Sequence, residues 1–199
     1  MTRYTFKSGF RTGKASTPVN TNFSITGGRK FYVGKGSNTL SLFGVASNVS
    51  DYSYRKGFIG QATNTGDYQQ DMNMKRYDYK TTQSLLGNAK FRHTKGSVSW
   101  NSLFIHSDAQ FVGNYLGYNK DINDNLGSAD AENSLIVRQQ NNNNNLFSNQ
   151  LLADYKFNSK VRANIGAVYS TLRGTEPDSK TNAYAMTNSG SYILSANSP

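Results

Sequence analysis

Few side chains in this sequence stand at spacings that could carry covalent or metal chemistry. His93 and His106 each fall near the expected end of a strand, with no second imidazole or carboxylate at ligand spacing. An isolated histidine of that kind reads as a polar surface or lumen residue. Asp121, Asp124, Asp130 and Glu132 gather in one stretch, and Asp121-Ile122-Asn123-Asp124-Asn125-Leu126-Gly127 carries some of the oxygens a calcium loop uses. It lacks the Asp-x-Asp-x-Asn-Gly register and the closing bidentate Glu, so a solvated loop is the favoured reading. Gly27-Gly28 and Gly34-Lys35-Gly36 do not open a helix after a strand, so phosphate cradling is unsupported. Cysteine is absent, which excludes disulfides and thiolate metal sites. No enzyme, cofactor or metal site is expected. Binding chemistry is better represented. Tyr52, Tyr54, Arg55, Tyr68, Tyr115 and Tyr118 are candidate ligand contacts on long loops or a lumen face. Tyrosine rings stack on sugars and donate hydrogen bonds, while arginine pairs with carboxylates or phosphates. The competing reading makes the same residues a girdle or loop packing.

Composition narrows what could hold such residues. Of 199 residues, 36% are apolar and 13% aromatic, with 13 Tyr and 11 Phe and only three Pro. Many polar residues with many aromatics suit strands whose two faces meet different solvents. No stretch approaches the roughly 18–20 apolar residues of a membrane helix, so a membrane reading requires a barrel. Met1-Thr2-Arg3-Tyr4-Thr5-Phe6-Lys7 lacks the apolar core of a signal peptide. The expectation is therefore a cytosolic chain or one whose true N-terminus lies upstream. The net charge is +10, yet the basic residues stand singly or in adjacent pairs such as Lys75-Arg76, with no longer cluster. Without a basic helix, zinc pattern or aromatic RNP-like motif, nucleic acid is not expected as a partner. A basic surface facing anionic lipopolysaccharide competes with it.

Period-2 alternation supplies the elements. Phe23, Ile25 and Gly27 alternate with Asn22, Ser24 and Thr26, continuing to about Val33. Leu40, Leu42, Gly44 and Ala46 begin a second run, and Leu85, Gly87, Ala89 and Phe91 a third over about 81–93. A fourth spans 97–107, with Leu103 and Ile105 sharing a face. A fifth sets Phe147, Leu151, Ala153, Tyr155 and Phe157 against Ser148, Gln150, Asp154 and Lys156. The sixth sets Val161, Ala163, Ile165, Ala167 and Tyr169 against Arg162, Asn164 and Ser170. Each run is about 10–13 residues, near the 9–11 of a tilted membrane strand and longer than the usual 5–6.

The connections alternate in length. Residues 34–38, 94–96 and 158–160 are compact turns, whereas 50–80, 108–145 and everything after Leu172 read as long links. Short periplasmic turns and long extracellular loops are the layout of outer-membrane barrels. Phe31, Tyr32, Phe91, Tyr155 and Phe157 lie beside the short turns, and Tyr52, Tyr54, Tyr77, Tyr79 and Tyr169 toward the loops, as two aromatic belts would. The five asparagines 141–145 are placed in a solvated loop or at the upper end of strand five. The fold expected is all-β: an antiparallel up-and-down transmembrane β-barrel segment of about six long strands, covering 1–199.

Three stretches add a likeness. Ser97-Val98-Ser99-Trp100-Asn101-Ser102-Leu103-Phe104-Ile105, Asn145-Leu146-Phe147-Ser148-Asn149-Gln150-Leu151 and Glu176-Pro177-Asp178-Ser179-Lys180-Thr181-Asn182 resemble, in order and spacing, barrel segments of TonB-dependent outer-membrane receptors of the Bacteroidetes type. The residues carrying it most are Asn101, Ser102, Leu103, Phe104, Gln150, Glu176, Pro177 and Asp178, the last three in a segment read as a loop. The resemblance implies a nutrient importer for a glycan, peptide or metal chelate in a Gram-negative outer membrane. It implies a 22-stranded barrel around a plug, driven by the TonB complex, with outer-membrane lipid or lipopolysaccharide and a surface lipoprotein lid as further partners. Plug, signal peptide and closing strands are not found in the sequence, so a partial barrel is expected. A surface-exposed or secreted all-β binding protein, adhesin-like or lectin-like, is the alternative, and a free-standing small pore comes third.

Overall fold

The computed structural model describes residue 16 and residues 19–34, 36–122, 134–187 and 189–195. They form one antiparallel sheet of seven strands in sequence order: β1 (Thr21–Tyr32), β2 (Thr39–Ala62), β3 (Tyr68–His93), β4 (Gly96–Asn119), β5 (Ser134–Lys156), β6 (Arg162–Met186) and β7 (Tyr192–Leu194). The topology is up-and-down, as expected. Among the described residues β1 and β7 do not pair with each other, so the sheet is open.

The short-turn end follows the sequence closely. Gly34 (φ 73°) and Gly36 (φ 137°) take left-handed conformations in the β1–β2 turn, which a side chain would oppose. Thr94-Lys95 alone joins β3 to β4. Between β5 and β6, the Asn158 carboxamide oxygen accepts from the backbone N–H groups of Lys160 (2.8 Å) and Val161 (2.9 Å), an Asx turn.

At the other end the long loops are corrected. Most of residues 50–80 belongs to β2 and β3, and only 63–67 turns. β4 and β5 likewise absorb much of 108–145, including the asparagine run, which sits inside β5. β6 continues past Leu172 to Met186. Two of these connections share one design, Thr63-Asn64-Thr65-Gly66-Asp67 and Thr187-Asn188-Ser189-Gly190-Ser191. In each, the threonine N–H donates to the carbonyl four residues on (2.9 and 2.8 Å). Its hydroxyl accepts the returning N–H (3.1 and 3.2 Å). The predicted loop Glu176-Pro177-Asp178 is also strand. Glu176 and Pro177 together oppose Asn142, since Asn143 pairs with Thr175 and Asn141 with Asp178. Such a bulge is where a ladder tolerates proline, which has no N–H to give.

Continuous pairing lets every cross-strand row be assigned to a face. One face carries the row Phe31, Leu40, Phe91, Val98, Ala153 and Ile165 and the row Ile25, Ala46, Leu85, Phe104 and Phe147. On this face the band covers residues 23–31 of β1, where Arg29 is the one charged residue, 85–93 of β3 and 161–169 at the start of β6. The band slides four residues toward the short turns over the five steps from β1 to β6. With about 3.3 Å per residue and about 4.8 Å between strands, its slope against the rows is about 30°. An aromatic cluster closes its lower edge: His93 lies 6.3 Å from Phe91 and 5.9 Å from Tyr155, and Tyr155 lies 5.0 Å from Phe157, centroid to centroid.

The opposite face is polar at matching depth. Ser47 and Ser84 share a hydrogen bond (2.7 Å), Asn88 donates to Asn101, and Asn101 donates to Gln150 (3.1 Å). Val45, Leu86 and Leu103 in one row, and Ile105, Leu146 and Leu172 in the next, form an apolar stripe across it. Among the described residues only Met72, Tyr118 and Ala183 form a buried apolar core, all at the loop end. Ile25, Leu85, Leu151 and Ile165 stand half or more exposed, so the band faces outward uncovered.

Candidate functional site: an arginine row on the polar face

The six candidate ligand contacts lie on strands rather than on loops, and the pairing separates them. Tyr52 and Tyr54 fall on the banded face, opposite Tyr79 and Tyr77, and the Tyr54 and Tyr77 rings pack at 4.9 Å. Tyr118 is buried at 3% exposure, a packing residue. Tyr68 opens β3 at the edge of the Thr63–Asp67 turn and is exposed. Arg55 and Tyr115 belong to the polar face.

On that face three arginines meet. Arg55 on β2 pairs with Arg76 on β3, Arg76 with Gly113 on β4, and Gly113 with Arg138 on β5. One row lower, Asp78 accepts from both neighbours: Arg55 Nη2 to Oδ2 and Arg76 Nη2 to Oδ1, each at 2.8 Å. Partial burial raises the Asp78 carboxyl, but hydrogen bonds from Arg76 and Arg55 outweigh it and hold the group below its ordinary value. Phe111 lies between two cations, with the Arg76 guanidinium 3.8 Å from its centroid and that of Arg138 at 5.6 Å. Arg138 donates to Gln140 Oε1 (3.3 Å) and has no carboxylate partner among the described residues. A Cβ built on Gly113 would come within 2.8 Å of the Tyr115 hydroxyl, so that hydroxyl lies over the glycine. Arg76, Asp78, Phe111 and Arg138 were not singled out from sequence, because only the pairing register brings them together.

The row belongs to a wider asymmetry. Among described strand residues whose pairing fixes their face, the polar face has Asp51, Asp78 and Asp154 against nine lysines and arginines. Lys75 and Arg76, adjacent in sequence, point to opposite faces.

The other predicted features disperse. His93 Nδ1 accepts from the Lys95 N–H (3.3 Å), and His106 Nδ1 meets Asn145 Oδ1 at 2.7 Å. Neither approaches a carboxylate cluster, and no group of three or more metal-ligating side chains is found among the described residues. Asp124, Asp130 and Glu132 lie outside the described residues. Two of the family-like stretches are neighbours, with Asn101 opposite Gln150 and Phe104 opposite Phe147; Ser102 and Leu103 follow Asn101 on alternate faces. Asp178 pairs with Lys180 (3.1 Å). No family model, curated protein or solved structure matches the chain.

Proposed function

We propose that the chain forms part of the wall of an outer-membrane transport barrel of the TonB-dependent kind, which captures a nutrient outside the cell and imports it with energy delivered through TonB. The observation that carries the reading is the sloping apolar band on one face of a single-layer sheet. A soluble sheet of this size would need a second layer over those side chains. Lipid would cover them instead. The slope of about 30° approaches the roughly 35–45° tilt of barrel strands, and nine residues per strand match the 9–11 that cross a bilayer. The apolar stripe on the polar face supports an interior filled by a plug rather than by water. TonB would act through that plug. Lipopolysaccharide would meet the banded face, and a surface lipoprotein would cap the loop end.

The chain has no cysteine, so single-cysteine labelling is direct. Nitroxides at Leu151 and Gln150, adjacent residues on opposite faces, should differ once the chain is folded into phosphatidylcholine vesicles. The first should relax with oxygen and the second with a water-soluble nickel chelate. Equal access of the chelate to both, or a folded monomer stable without detergent, would overturn the reading in favour of a secreted or surface-displayed binding protein.

A further inference from the structure

We propose that Arg76 and Arg138 together bind an oxyanion, the carboxylate, sulfate or phosphate of a solute arriving from the loop side. The inference rests on the transport reading for its direction and on the arginine row for its chemistry. Strands β3 and β5 flank β4, so the two arginines are rooted about 9–10 Å apart. Gly113 between them has no side chain of its own, and the Tyr115 hydroxyl lies over it. An oxyanion seated on the Tyr115 hydroxyl would be held by one guanidinium on each side. Phe111 braces both guanidiniums, which lowers the entropy lost on binding. Asp78 neutralises one charge of three, and Arg138 retains its own among the described residues.

Two sources could offer such an anion, a free solute or a lipopolysaccharide phosphate. The row faces away from the apolar band and stands nine residues beyond Leu85, roughly 30 Å along β3. That position favours a solute in the interior over a headgroup at the rim.

The test uses the full chain folded in detergent, with ¹⁵N-arginine, titrated with sodium sulfate at constant ionic strength. Sulfate should shift the Arg76 and Arg138 Nε–H resonances saturably while Arg29, on the opposite face, stays put. Arg138→Gln should weaken the apparent affinity about tenfold, as loss of a charged hydrogen bond predicts. Gly113→Ala should weaken it by displacing the Tyr115 hydroxyl. Asp78→Asn should strengthen it by removing the competing internal anion, an effect opposite to that of a merely structural carboxylate. Silence at all arginines, or equal shifts at Arg29 and Arg138, would overturn the site. So would a response to lipid A micelles with none to sulfate. Face-selective labelling with no sulfate response would sink this site and leave the membrane reading standing. Sulfate binding by a chain soluble without detergent would do the reverse.

Discussion

Ile165 and Arg162 differ by three positions and by face, and that contrast sets what each can tolerate. Ile165 is 71% exposed at the centre of the 161–169 band, where lipid would surround it. Arg162 reaches Asp154 (3.1 Å) from the other face, near the turn. Ile165→Arg should therefore cost about 2–4 kcal/mol, the penalty for a charge at the bilayer midplane. Arg162→Ile should cost far less, since it breaks one largely exposed pair. Urea midpoints in vesicles would measure both, and equal losses would reject the facing assignment. Asp78 supplies a pH-dependent counterpart. Its folded-state pKa is depressed, so the stabilisation it gives is present above the ordinary carboxylate range of about 3.9 and is lost as pH falls through the lowered value. Amide protection at the Arg55 and Arg76 pairing should fall on acidification below that range. Asp78→Asn should remove this component of the pH dependence.

At the scale of elements, the outer arms of β2 and β3 contain a conflict. Lys56 stands directly opposite Lys75, and like charges so placed destabilise a ladder. Lys75→Glu should raise protection of the arm by about 0.2–1 kcal/mol in hydrogen exchange, with the gain shrinking in high salt. These same arms mark where sequence reading stopped working. Within the band, one face is apolar and the other polar, so Leu85, Gly87, Ala89 and Phe91 alternate with polar neighbours and the strand is legible. Beyond the band both faces are polar or aromatic, as in Tyr52-Ser53-Tyr54-Arg55-Lys56, and the period-2 contrast fades although the backbone pairing continues. Asn141 to Asn145 show the extreme: asparagine disfavours strands, yet β4 and β6 supply ladder partners on both sides of the run. The recurrence of Thr-Asn-x-Gly at 63–66 and 187–190 was the available clue to two tight hairpins. The arginine row had no such clue, since Arg55, Arg76 and Arg138 lie far apart in sequence and only registration across four strands aligns them.

For the molecule as a whole, the open sheet is its main physical problem. Among the described residues β1 offers one unpaired ladder edge. β7 pairs only with Tyr184, Ala185 and Met186, leaving most of the outer edge of β6 without a neighbour. An edge of that length recruits other strands, and the uncovered band adds apolar surface that water disfavours. On the proposed barrel reading, closure would come from further strands, whether of the same polypeptide or of other copies, because the seven described strands form an open sheet. In detergent the chain should therefore run above the mass of one copy by light scattering. Cysteines at Ile25 on β1 and Ala167 on β6 should cross-link between copies, because both project onto the banded face near the two free edges. A Lys at Thr26 on the β1 edge should reduce this association by blunting the edge with charge. A single-copy mass in detergent with no cross-link at either edge would mean that the sheet meets its edges within one chain, and the open-wall description would have to give way to a closed one.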